Sequence, residues 1–237
     1  MRINVHAGHN PAGKVACGAV GLINESTENR RVKEEVISQL RELGHTVYDC
    51  TCDNGTGQTD VLQKIVAKCN AHKVDLDVSI HFNSGAGDPA GNDKTTGVEA
   101  YVYSTSGAAN PYAEKICQAV SDLGFRNRGV KYSTTLYVLK HTKAPAVLVE
   151  CCFVDDKDDV ELYDYQKMAA AIVYGITGQS VQESQETAPA DPGEETPVGD
   201  PKELYRVQVG AYGVKGNADA MKARLQAAGF DAIIVKA

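Results

Sequence analysis

The sequence predicts an α/β fold, a mostly parallel twisted sheet with helices on both faces, plus a small C-terminal βαβ unit. Three observations predict it. Short apolar runs such as Ile3–Ala7, Asp77–Ile80 and Pro145–Val149 have the length and composition of buried strands. Longer segments with apolar residues three and four apart lie between them. Strand–helix alternation of this kind is the pattern of crossover connections in a parallel sheet.

The elements follow in order. The opening segment, residues 3–9, is a strand that enters a Gly-rich loop, 8–21. A helix is predicted over Thr27–Leu43, where Val32, Val36, Leu40 and Leu43 form one stripe and Gly44 closes the end. His45–Asp49 is a second strand. Val61, Leu62, Ile65, Val66 and Cys69 mark a second amphipathic helix, which leads into the strand ending at His81. Residues 83–96 carry Gly, Asn, Asp and Pro without periodicity and read as a loop bordering a cleft. Gly97–Tyr103 is a strand, 109–124 a helix ending at Gly124, 145–150 a strand and 156–177 a helix.

Residues 179–202 hold four of the eight prolines, and Glu183, Glu186, Asp191, Glu194, Glu195 and Asp200 stand against Lys202 alone. Such a composition cannot bury a core and reads as an acidic linker. Beyond it, Leu204–Gly210 alternates like a strand, Ala218–Ala228 is helical and Phe230–Val235 is again strand-like. The expected organisation is a main domain over 1–178, a linker over 179–202 and a βαβ unit over 203–237.

The net charge of −7 over 237 residues argues against nucleic acid as a partner, which needs a basic footprint. No run of about 18 apolar residues predicts a membrane span. The N-terminus enters a strand at once, so no secretory signal is expected, and synthesis in the cytoplasm is. Seven cysteines, at 17, 50, 52, 69, 117, 151 and 152, fall mostly inside periodic segments and read as buried thiols rather than zinc ligands.

Chemistry is expected where strands end, since open parallel sheets bind ligands beyond their carboxyl ends. His9, His81 and Glu150 each end an apolar run. Two imidazoles and a carboxylate suit a zinc site with one open position, and a further carboxylate could handle protons. Glycine at position 8 would let the backbone approach a bound group closely. Spacing alone does not choose between Glu25 and Glu28 at the start of the first helix, where either would suit the helix dipole.

Several motifs recur together: Gly8-His9, Glu25 before a helix closed by Gly44, Ser79-x-His81-x-Asn83, Gly97-Val-Glu99, Arg128-Gly-Val-Lys131 and Pro145-Ala-Val-Leu-Val-Glu150. As an ordered set over residues 1–178 they resemble the zinc-dependent N-acetylmuramoyl-L-alanine amidases of autolysins and phage endolysins. The resemblance implies zinc held by His9, Glu25 and His81, with Glu150 catalytic and Asn83 and Arg128 binding substrate. It implies cleavage of the amide between the lactyl group of muramic acid and L-alanine in peptidoglycan. Zinc would polarise that carbonyl and acidify water, while Glu150 moves the proton to the departing amine. Two positions depart from the family: His6 stands where Asp is common, and Cys50-Thr51-Cys52-Asp53 where Thr-Arg is common. Both bear on substrate detail and leave the implied ligands in place.

The tail motifs Tyr205–Tyr212, Asn217-Ala218 and Ala228-Gly-Phe230 resemble the first half of a sporulation-related (SPOR) peptidoglycan-binding repeat. A half-repeat is expected to complete itself by pairing in a homodimer through residues 203–237. The absent leader favours an endolysin acting on the cell wall after release. The rivals are a zinc carboxypeptidase or other peptidase acting within the stem peptide, and a non-catalytic wall-binding protein.

Overall fold

Alternation along the strands decides which face of the sheet holds the core and which holds the chemistry. The computed structural model describes residues 1–181 and, beyond them, Lys222, Ile233 and Ile234; most of the expected linker and the βαβ unit lie outside the described residues. Strands β1 (Arg2–Ala7), β2 (Thr46–Asp49), β3 (Leu76–Asn83), β4 (Val98–Val102), β5 (Asn127–Tyr132) and β6 (Ala146–Phe153) form one six-stranded sheet in the order β2-β1-β3-β6-β4-β5. The pairings β1–β2, β1–β3, β3–β6 and β4–β5 are parallel, and β4 runs antiparallel to β6. The expected mixed architecture with a mostly parallel sheet is the one observed.

On one face, Ile3 and Val5 of β1, Val78 and Ile80 of β3, Val98 and Ala100 of β4, and Val147 and Val149 of β6 are buried. They pack with Val32 of α1 (Glu25–Glu42), Ile116 of α3 (Asn110–Ser121) and Ile172 of α6 (Tyr165–Thr177) in one continuous core. The opposite face carries a smaller cluster, in which Leu148 meets Val61 and Ile65 of α2 (Gln58–Asn70) and Val138 and Leu139 of α4 (Tyr137–His141). The remaining side chains on that second face are polar: Asn4 and His6 on β1, Asp77, Ser79 and His81 on β3, Glu99 on β4 and Glu150 on β6. Residues one apart on a strand point to opposite faces, so the same runs build a core and a polar floor.

The structure departs from expectation in four places. α1 starts at Glu25, two residues before the expected start. β5 and α4 carry no strong apolar run and are not predicted; β5 is an edge strand whose Asn127, Lys131 and Tyr132 face solvent. The helix expected over 156–177 is two, α5 (Lys157–Leu162) and α6, because Asp164 caps a new N-terminus by accepting from the amides of Gln166 and Lys167. Finally, β3 and β6 run past His81 and Glu150, so these residues project from the sheet face rather than beyond its end.

The loop over 83–96 is pinned by the acids that follow β6. The Asp155 carboxylate accepts from the amides of Gly85 and Gly87, Asp156 from Thr96, and Asp158 from Asn92. All seven cysteines are free thiols and six are buried, as their periodic placement predicts. No described helix is long and apolar enough to cross a membrane.

One buried acid on the polar floor carries a stability consequence. Asp77 is 2% exposed, accepts a hydrogen bond from the Asn4 amide, and has one carboxylate oxygen without a partner. Burial pushes its pKa up from an ordinary 3.8 to about 6, against the Asn4 bond. A raised native pKa favours the fold while the group is protonated, and that contribution is lost as pH rises through about 6. Asp77→Asn should therefore raise stability near pH 8 by about 1–3 kcal/mol and change it little near pH 4. Thermal melts of both proteins at the two pH values check this.

Candidate metal centre

Three chain segments bring His9, Glu25 and His81 to one point. His9 follows β1 with its backbone in the left-handed region, φ 63°. That conformation is costly for a non-glycine residue and persists only where its surroundings hold it. Here α1 reaches back to hold it. Asn29 donates to the Gly8 carbonyl at 2.9 Å, and Arg30 donates to the His9 carbonyl at 3.0 Å. Arg30 also bonds the Cys52 carbonyl at 3.3 Å and Asp53 at 2.7 Å. The Asp53 of the divergent Cys50–Asp53 segment is thus part of the brace behind His9.

Glu25 is the first residue of α1 and is 3% exposed. Its Oε2 accepts from the Ala19 amide at 2.7 Å and its Oε1 from the Phe82 amide at 3.2 Å. The same Oε1 lies 2.9 Å from His81 Nδ1 and 3.3 Å from His9 Nε2. Burial opposes ionisation of Glu25, but hydrogen bonds and charge from His81 and His9 outweigh it and hold the carboxyl well below the usual range. Glu28, which spacing alone leaves as a rival, points elsewhere, to the Tyr163 hydroxyl at 3.1 Å and to Arg31.

The donor atoms of His9, Glu25 and His81 all lie within 4.8 Å of one another. Two imidazole nitrogens and an ionised carboxylate are a set that holds a divalent transition metal. Two glycines make room for it. A Cβ on Gly8 would come within 2.0 Å of the His81 ring, and one on Gly18 within 2.2 Å of Glu25 Oε2. The sequence assigned Gly8 to close approach of a bound group; the group that approaches is the His81 imidazole. His6 lies beneath, 1% exposed, its Nδ1 3.4 Å from Ser79 Oγ; burial, with His81, pushes its pKa down to about 3, so its ring is neutral.

Beside this trio the polar floor forms a row across three strands. His81 pairs in register with Glu150, and Glu150 with Glu99. Glu150 Oε2 is buried with no hydrogen-bond partner among the described residues. Burial first, then the charges of Glu25 and Glu99, push its pKa up to about 8. Glu99 is 3% exposed and fully engaged. Asn83 Nδ2 and the Tyr101 hydroxyl donate to its Oε1 at 2.8 and 3.0 Å, and Arg128 Nε donates to its Oε2 at 2.8 Å. The structure therefore gathers His9, Glu25, His81, Glu150, Asn83 and Arg128 into one site.

Glu99, Tyr101, Asn29, Arg30 and Gly18 also belong to this site, and sequence reasoning gave them no role. Only Glu99 had a signal, its place in the Gly97-Val-Glu99 motif. A second convergence of acids, Asp88, Asp156 and Asp158, has each carboxylate occupied by the amides that shape the 83–96 loop.

Comparison with known proteins agrees with this geometry. The family description "N-acetylmuramoyl-L-alanine amidase" matches residues 3–178, about three quarters of the chain. The chain belongs to the N-acetylmuramoyl-L-alanine amidase family. A SPOR domain match covers residues 200–237. Among similar proteins, an uncharacterised protein of Clostridium perfringens is 38% identical over 164 residues, 69% of this chain and 47% of that protein. N-acetylmuramoyl-L-alanine amidase CwlM of Bacillus licheniformis is 30% identical over 180 residues, 75% of this chain and 63% of CwlM. The chain thus spans about half the length of the first of these relatives and under two thirds of the second. The catalytic domain of CD27L endolysin, targeting Clostridia difficile, superposes with a TM-score of 0.68 at 26% identity, covering 76% of this chain and 99% of that one.

The contact between Gly8 and His81 gives a test specific to this amidase-family site. A Cβ at position 8 must displace the ring. Gly8→Ala should weaken divalent-metal binding about 10–100-fold, the usual effect of disturbing a group that orients a ligand. Metal titration of the stripped protein, with circular dichroism to verify the fold, reads the result.

Proposed function

We propose that the protein is a zinc-dependent peptidoglycan hydrolase that cleaves the amide between N-acetylmuramic acid and L-alanine, of the endolysin type. One observation carries this reading: the converging donors of His9, Glu25 and His81 stand beside Glu150, whose buried Oε2 has no partner among the described residues. Family membership and likeness to an endolysin catalytic domain support the substrate.

His9, Glu25 and His81 hold the metal. Zinc bound there supplies Lewis acidity toward the amide carbonyl and lowers the pKa of water toward 7. Glu150 Oε2 takes a proton from the attacking water and delivers it to the departing L-alanine nitrogen. Its raised pKa suits it to hold a proton near neutrality, and the value falls when positive charge is held nearby. Asn83, two residues beyond His81 on β3, and Arg128, on β5 beyond Glu150, contact the substrate. His6, buried and neutral, lies beside Ser79, two residues before His81 on β3.

The SPOR match over residues 200–237 supports wall binding by the tail. A βαβ unit of the length the sequence predicts over residues 203–237 would have little core of its own, and pairing of two such units in a symmetric homodimer would enlarge it. Light scattering should then report a dimer for the full chain and a monomer for residues 1–178; a monomeric full chain at micromolar concentration defeats the pairing.

The reaction is tested with purified peptidoglycan and mass spectrometry. An amidase frees stem peptides with a new N-terminal L-alanine, a peptidase cuts within the stem, and a wall-binding protein releases nothing. Glu150→Gln should keep metal and fold while turnover falls about 10²–10⁴-fold. His81→Ala should lose bound metal and activity together, since three protein ligands are the usual minimum for catalytic zinc. Full zinc occupancy in His81→Ala would overturn the ligand assignment.

A further inference from the structure

We propose that Glu99 is a positioning residue that sets Arg128 as a fork for a carboxylate of the stem peptide, close to the scissile amide. This rests on the amidase reading above and names the feature of the substrate that the far side of the site selects.

Glu99 gathers donors from three strands, Asn83 on β3, Tyr101 on β4 and Arg128 on β5, and has no solvent-facing role of its own at 3% exposure. Its contact with Arg128 is selective. Glu99 Oε2 takes Nε at 2.8 Å, and the guanidinium lies over the Phe153 ring at 4.9 Å. One edge and one face of the guanidinium are thereby fixed. The two terminal nitrogens make no hydrogen bond among the described residues, on a side chain that is 30% exposed. A planar pair of N–H donors on a guanidinium matches a carboxylate through two parallel bonds, and fixing it in advance reduces the entropy lost on binding.

Position limits which carboxylate can reach it. Glu99 lies directly opposite Glu150 on the neighbouring strand. The Arg128 guanidinium bonded to Glu99 lies 4.9 Å from the ring of Phe153, which is on the strand that carries Glu150. An extended peptide covers that distance in one to two residues. The carboxylate it meets belongs to the second residue of the stem, next to the L-alanine whose amide is cut.

The test uses two synthetic muropeptides, identical except that the second stem residue bears a free α-carboxylate in one and a carboxamide in the other. The full-length, zinc-loaded protein should prefer the acid by about tenfold or more in kcat/KM, chiefly through KM, as a charge-assisted two-bond contact implies. Arg128→Gln should bring the preference close to unity. Glu99→Gln, with Arg128 intact, should remove at least two thirds of it. The two changes should be non-additive, since Glu99 acts through Arg128. Glu99→Asp, which retains the charge, should recover part of the preference, and it replaces Glu99→Gln if that variant does not fold. Calorimetry with the two free stem peptides measures the same preference without turnover, so it remains informative if the scissile bond is a different one. Equal handling of acid and amide by the wild type, or full preference in a folded Glu99 variant, overturns the proposal. Absence of a freed N-terminal L-alanine with either muropeptide instead overturns the amidase reading.

Discussion

The site depends on one buried carboxylate. Glu25 opens α1, receives the amides of Ala19 and Phe82, and presents a single oxygen to both imidazoles. A charge this deeply buried is costly unless every lone pair has a donor. Here the loop after β1, the N-terminus of α1 and the upper part of β3 each supply part of the compensation. Moving any one of them leaves a buried anion short of donors. The Gly-rich loop, the left-handed corner at His9 and the Arg30 brace are best understood as the means of keeping those segments in register around it.

The polar floor is the second constraint. Strands that bury Val, Ile and Ala on one face place Asp77, His81, Glu99 and Glu150 on the other without interrupting the core. α2 and α4 cover only part of that face, through the cluster around Leu148, Val61 and Val138. Where they stop, ionisable groups lie partly screened from water, which is where pKa values shift most. Asp77, beneath the end of α2, is displaced in the same direction as Glu150, again chiefly by its own burial.

Much of this was legible in the sequence. His9, His81 and Glu150 were identifiable because each follows a compact apolar run, and such runs are strong local signals. Glu25 was distinguishable from Glu28 only by resemblance, since both suit a helix start and only tertiary structure turns one toward the histidines. β5 was not legible: an edge strand with a charged, half-exposed pattern lacks the periodicity that buried packing imposes. The reversal of β4 was hidden as well, because strand direction leaves no trace in a five-residue pattern. Glu99 was missed with it, for its role exists only when β4 lies antiparallel beside β6.

That reversal has a consequence for how the site is divided along the chain. Every group of the metal trio, with its bracing, comes from residues 8–82, whereas Glu99, Tyr101 and Arg128 come from the insertion β4–α3–β5, which meets β6 from the opposite direction. Among the described residues, Asn83 links them by a side-chain hydrogen bond to Glu99. The trio and the Glu99 cluster are therefore carried by separate stretches of chain, set on either side of β6, which pairs in parallel with β3 and antiparallel with β4. Substitutions in β4–α3–β5 can therefore reshape the Glu99 cluster without touching any residue of the trio or its braces.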